Sequence, residues 1–132
     1  MAFDTNNGAV FGIIEMHARE PARTKAFYSH VLGWQESPEV LVGEDGFFMM
    51  RQGGSNPEAT ILGAGDTSGV PTGQWIPQIA VDDIRAVTAK CVEAGGEIVA
   101  EITQVSNDDP GQMCRIRGPE GAVLGLIQVV KG

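Results

Sequence analysis

The sequence predicts an α+β fold made of one β-α-β-β-β unit written twice, and three observations predict it. The chain matches itself when slid so that Ile13 falls on Ile76, Glu20 on Asp83 and Gly33 on Gly96. Pro21, Thr24, Tyr28 and Val31 then overlay Ile84, Val87, Cys91 and Ala94, and each set follows a spacing that gathers on one face of a helix. Around both helical stretches lie short runs of alternating apolar residues, punctuated by many of the 18 glycines and 7 prolines.

The elements follow in order. In the first half, Val10 to His17 is a strand, Glu20 to Leu32 a helix, and Trp34 to Val42, Gly46 to Gln52 and Ala59 to Gly63 are strands. Glu20 stands where a helix start calls for an acceptor and negative charge, Pro21 suits the first turn, and Gly33 suits the exit. Gly63 to Gly73 reads as the linker between the halves. The second half has a strand at Gln74 to Val81, a helix at Asp83 to Ala94, and strands at Glu97 to Thr103, Gln112 to Arg117 and Ala122 to Val130. Asp82 or Asp83 opens its helix and Gly95-Gly96 closes it. Pro77 lacks an N–H, so its strand is expected at an edge or a bulge. Gly118-Pro119-Glu120-Gly121 reads as a tight turn feeding the last strand.

Composition narrows the classes of function. A length of 132 residues suits a single domain, residues 1–132, with modules at about 9–64 and 74–130 joined by a linker at about 64–73. Hydrophobic residues make 42% and charged residues 20%, ordinary values for a globular protein with its own core. A net charge of −8, with nine Lys and Arg in all, excludes a nucleic-acid binder and disfavours an anionic membrane surface. No apolar run is long enough to span a bilayer, and the first eight residues carry no basic segment of the kind that opens a signal peptide. Two cysteines, Cys91 and Cys114, make no disulfide framework, so the expected location is the reducing cytoplasm. A small organic molecule or another protein is the partner class that remains.

Four groups of residues carry a resemblance to the vicinal oxygen chelate superfamily, which holds glyoxalase I, extradiol dioxygenases, fosfomycin resistance proteins and bleomycin-binding proteins. They are Ala26-Phe27-Tyr28-x-x-Val31-Leu32-Gly33-Trp34, Ala80-Val81-Asp82-Asp83-Ile84, Ala94-Gly95-Gly96 and Gly118-Pro119-Glu120-Gly121-Ala122. The resemblance spans roughly Val10 to Val130. It implies two tandem modules forming a curled mixed sheet around a cavity, helices on the outside, and a homodimer. Long strand edges in halves this small also favour dimerisation. In metal-using members, four inward side chains grip one divalent ion. The matching positions here are Ile13, Ile76, Gly125 and Leu62, none of which offers an N, O or S donor. The resemblance is therefore closer to the metal-free binding proteins, with no cofactor.

Strand alternation groups the candidate site residues. If Ile13 faces the cavity, so do Glu15 and His17. They suit a general base with its orienting partner, two metal ligands shifted from the usual place, or a polar rim at solvent. Ile76, Gln78 and Ala80 share a face in the second half, where Gln78 is either a ligand contact or a satisfied buried amide. Val123, Gly125 and Ile127 line the opposite wall, and Gly125 leaves room for a bulkier apolar group. Trp34, Trp75, Phe47 and Phe48 are candidates for stacking on a planar ligand. Phe27, Tyr28 and one of Phe47 and Phe48 are assigned to the core. Met49, Met50 and Met113 are either adaptable wall or gap filler. Arg115 and Arg117 share a strand face suited to an acidic ligand or to ion pairs. His30 complements a helix dipole, Cys91 is a small buried hydrophobe, and no thiol nucleophile or phosphate loop is supported. Three functions stay open. The first is a small-molecule binding protein without a catalytic metal, using Ile13, Glu15, His17, Trp34, Phe48, Trp75, Ile76, Gln78, Met113, Arg115 and Gly125. The second is a metal-dependent lyase or dioxygenase with one divalent transition metal. The third is a non-catalytic partner domain.

Overall fold

The computed structural model describes residues 5, 8–41, 46–51, 59–63, 69–104 and 110–128, with the backbone alone at 38–41. The elements run β1 (Val10–Ala18), α1 (Pro21–Leu32), β2 (Gln35–Leu41), β3 (Phe47–Met50), β4 (Ala59–Gly63), β5 (Trp75–Ala80), α2 (Ile84–Glu93), β6 (Glu97–Gln104), β7 (Gln112–Arg117) and β8 (Val123–Gln128). Each expected strand and helix is present to within one or two residues. The expected strand ends at Val42, Gln52 and Val129-Val130, the pair Gly53-Gly54 and the middle of the Gly63–Gly73 linker lie outside the described residues. Contacts divide the chain into two compact units. One comprises Ile13–Thr67 and Pro71–Trp75; the other comprises Met1–Gly12, Ser68–Val70 and Ile76–Gly132.

The two units have the same topology, which is the structural form of the sequence repeat. In the first, β1 pairs with β4 in parallel, β4 with β3 antiparallel, and β3 with β2 antiparallel. In the second, β5 pairs with β8 in parallel, β8 with β7 antiparallel, and β7 with β6 antiparallel. The fold is thus α+β, two βαβββ modules in tandem. The pairing of β5 to β8 runs from Gln78 to Ala80, just past Pro77, which has no ladder donor to give.

In the first unit, β1 alternates as its sequence requires. Ile14, Met16 and Ala18 turn toward a cluster with Met49, Ala59 and Ile61, against which Tyr28 of α1 packs. Lys25 fastens α1 to the sheet, bonding Glu36 at 3.0 Å and lying 4.3 Å over the Phe47 ring. Proline opens α1, but Glu20 gives no side-chain cap, contrary to expectation. Its carboxylate lies instead 3.5 Å from Arg23. Gly33 ends α1 in the left-handed region at φ 72, its N–H donating to Ser29 O, as the sequence suggested.

In the second unit, Val81, Ile84, Cys114 and Leu126 form the core on the α2 side, joined by Ile79, Val87, Ile102 and Ile116. Asp83 accepts the Ala86 N–H as a helix cap should, and Gln128 accepts the Ile84 N–H at 2.6 Å. Asp82 is not the cap; its carboxylate accepts from the Thr5 hydroxyl. The left-handed exit residue of α2 is Gly95, at φ 92, rather than Gly96. On the other face, Val70, Ile76 and Val123 cluster with Val99, and Gly69 O accepts from Arg117. The end of the expected linker is therefore packed structure. Gly121 turns back onto Gly118 O at φ 88, the tight turn read from the sequence. Among the described residues, no helix is long and apolar enough to cross a membrane.

Candidate functional site

On the face of β1 turned away from α1 stand Ile13, Glu15 and His17, exposed by 5%, 0% and 5%. Parallel pairing sets Glu15 beside Thr60 and His17 beside Leu62, and antiparallel pairing sets Phe48 beside Thr60. Glu15, Thr60 and Phe48 thus form one row across three strands, with His17 one step along β1. Thr60 is buried too, at 3%. The His17 Nε2 lies 3.9 Å from the Glu15 carboxylate, within ion-pair range but beyond a hydrogen bond. Neither His17 ring nitrogen, nor the Thr60 hydroxyl, has a hydrogen-bond partner among the described residues. Burial is what makes this unusual, because a buried polar atom left unmet costs about 1–3 kcal/mol. The polar-rim reading fails on the same burial.

In the second unit, a matching row crosses three strands. Gln78 on β5 pairs with Gly125 on β8, which pairs with Arg115 on β7. Gln78 is 3% exposed. Gly125 carries no side chain, so the space between Gln78 and Arg115 is not filled from β8. Ile76 shares the Gln78 face and packs on Val123, while Met113 lies opposite Ile127. Arg117, on the Arg115 face, is engaged by Glu97 at 2.9 Å.

The aromatic candidates divide. Phe48 sits in the Glu15 row and is 7% exposed. Trp34 and Trp75 do not share that face. They belong to the α1-side cluster, where Trp34 stacks on Tyr28 at 5.9 Å and Trp75 meets Tyr28 edge-on at 5.2 Å. Phe47 packs there as well. Phe27, expected in the core, is 57% exposed, because α1 turns that side outward. Met49 is completely buried in the same cluster, a gap filler rather than a wall. Cys91 is only partly buried, whereas Cys114 is closed off. Sequence reasoning missed Thr60, whose place depends on β4 pairing with β1 across more than forty residues of chain.

The sequence model of the Glyoxalase/Bleomycin resistance protein/Dioxygenase superfamily matches residues 11–126. The chain belongs to that superfamily. It is 31% identical over 118 residues to "Putative glyoxylase CFP32" of Mycobacterium tuberculosis (strain CDC 1551 / Oshkosh), covering 87% of this chain and 44% of that protein. The same match is found in Mycobacterium bovis, so the chain spans less than half the length of the curated relatives it matches. Among solved structures, a glyoxalase/bleomycin resistance protein/dioxygenase superfamily member from Vibrio splendidus 12B01 aligns with a TM-score of 0.64 at 14% identity, covering 92% of this chain and all of that one. The Mn(II)-bound glyoxalase from Novosphingobium aromaticivorans aligns at 0.61 and 20% identity, over 92% of this chain and 40% of that one. Methylmalonyl-CoA epimerase from Mycobacterium tuberculosis aligns at 0.60 and 14% identity, over 92% and 88%. At these identities the likeness is one of fold.

Superfamily membership raises the question of a chelated ion, which the donor chemistry answers. Ile13, Leu62, Ile76 and Gly125 stand on β1, β4, β5 and β8, and none carries a donor atom. Among the described residues, no three His, Cys, Asp or Glu gather into a ligand group. No third His, Cys, Asp or Glu among the described residues joins Glu15 and His17. The residues at these positions do not fit a resident metal.

Proposed function

We propose that this chain binds a small organic molecule on the buried face of β1, with Glu15, His17 and Thr60 as its polar contacts. Ile13 and Phe48 are the apolar wall beside them. The observation that carries this reading is the pair of unmet nitrogens on His17, buried beside a fully buried carboxylate. A ligand that accepts from one ring nitrogen and donates to the other repairs both deficits at once. Gln78 and Arg115, flanking Gly125, form the corresponding row of the second unit and are proposed as ligand contacts of that unit from their place on its sheet. A homodimer belongs to this reading, as the resemblance to the superfamily implies.

The test is a thermal-shift screen of small organic molecules and divalent metals, combined with elemental analysis of the purified protein. A ligand at about 100 times its Kd adds roughly 2.7 kcal/mol of apparent stability. His17→Ala and Glu15→Gln are expected to abolish the shift given by at least one class of organic hit. One equivalent of a transition metal retained through purification, or a screen in which every hit survives both substitutions, overturns the proposal.

A further inference from the structure

The first unit holds an open concavity of about 460 Å³ on the opposite side of β1 from His17. Its floor is Met16 and Ala18, the residues of β1 that alternate away from Glu15 and His17. One wall is the first half of α1, which contributes Arg23, Thr24 and Phe27. Arg19 and Glu20 stand at the mouth where β1 turns into α1. From the observations below we infer that this concavity is a second binding site, for a monocarboxylate with an aromatic or branched apolar body.

Charge selects the head group. Arg19 and Arg23 bring two guanidinium groups against the single carboxylate of Glu20, which leaves one positive charge at the mouth. The Arg23–Glu20 pair is 3.5 Å apart and widely exposed, so water competes with it and Arg23 is easily redirected. Arg19 has no ion-pair partner among the described residues. The uncapped start of α1 adds partial positive charge on the same side. The chain as a whole carries −8, so an anion is repelled elsewhere and retained where cations gather. One unit of local charge matches a carboxylate better than a phosphate dianion, and a guanidinium fork matches the two carboxylate oxygens.

The wall selects the body. Phe27 is 57% exposed and meets the half-buried Tyr28 edge-on at 5.0 Å, so one ring stands open to a flat apolar group with a second ring beside it. Thr72 and Gly73 close one end. The Gly73 N–H is held by His17 O at 2.8 Å with φ 80, and a Cβ built there meets nothing within 4 Å, so this end of the site is roomy. The volume lies within the range of small-ligand pockets.

The ring contacts of Tyr28, stacked on Trp34 and edge-on to Trp75, supply a readout, because a molecule against Tyr28 alters tryptophan emission. The full chain is titrated with 4-phenylbutyrate and, separately, with the neutral 4-phenylbutan-1-ol. The carboxylate is expected to give a saturable change, and the alcohol to bind roughly tenfold more weakly. Arg19→Ala and Arg23→Ala each weaken the carboxylate several-fold, Arg19→Lys restores part of it, and Phe27→Ala weakens both probes. His17→Ala, on the other face of β1, leaves the titration unchanged. Both arginines are surface residues, so their variants fold. No saturable change with 4-phenylbutyrate, equal binding of the alcohol, or an Arg19→Ala, Arg23→Ala double variant with unaltered affinity overturns the inference. Loss on His17→Ala alone overturns it as well and assigns the probe to the His17 face.

Discussion

His17 is held in the fold at a cost, since an imidazole closed off from water gives up hydration at both nitrogens and gains no hydrogen bond from the described residues in return. On the proposed function, His17 is retained for what it binds rather than for what it stabilises. His17→Leu keeps the volume and removes both unmet atoms. It is expected to stabilise the protein by about 1 kcal/mol, a rise in Tm of about 4 °C for a domain of this size, while abolishing ligand binding. A fall in Tm on calorimetry would show that the nitrogens are bonded in the folded protein. Cys114 makes the opposite case, a polar atom that the fold keeps neutral. Burial pushes its thiol from 9.0 up to about 11, with Arg115 pulling back weakly. A thiol reagent added to native protein at mildly alkaline pH is therefore expected to label Cys91 and spare Cys114. Cys91→Ser should leave the native chain unreactive until denaturant is added. The fold holds the Cys114 proton more tightly than the unfolded chain does, so the associated stability is whole below pH 9.0 and is lost as pH climbs toward about 11. Replacing Cys114 by Val removes that part of the alkaline loss.

The two helix exits show how one sequence signal serves two geometries. Gly33 is required for its backbone, at φ 72, and a Cβ there meets no atom within 4 Å. Gly33→Ala is expected to cost about 1 kcal/mol, all of it strain in the left-handed region. Gly96 is required for its smallness. A Cβ at that position would stand 2.6 Å from Cys91 Sγ, 3.0 Å from Arg117 O and 3.1 Å from Cys91 O. Gly96→Ala is therefore expected to destabilise more than Gly33→Ala in urea melts. Adding Cys91→Ala should recover part of the loss and not all, because the two carbonyls remain. A double-mutant cycle showing strict additivity would refute the clash. At the helix starts the same contrast appears between Asp83, which caps α2, and Glu20, whose longer side chain leaves α1 uncapped and reaches Arg23.

Across the whole molecule, the chain is tied together by contacts between segments far apart in sequence. Thr5, 7% exposed, donates to the Asp82 carboxylate 77 positions on. Val70 enters a core made by β5 and β8 residues. Thr5→Ala is expected to leave that acceptor short of a donor, costing about 1 kcal/mol, and to lower amide protection in α2 and β5 while that of β4 is kept. Uniform loss of protection, or none, would show that the Thr5 contact is not what orders the start of α2.

Period and punctuation, both local, made the two helices, the order of the strands and the duplicated unit legible: apolar residues recur at strand or helix spacing, and glycine or proline closes each run. Local alternation also sufficed to put Ile13, Glu15 and His17 on one face and Ile76 with Gln78 on another. Which strands become neighbours was decided only in three dimensions, because β1 reaches β4 and β5 reaches β8 across whole modules. That pairing brought Thr60 to Glu15 and sent Trp34 and Trp75 to the α1 side. It also left Phe27 in the open beside Arg19 and Arg23. Burial is a property of neighbours, and neighbours along a strand say little about neighbours across one.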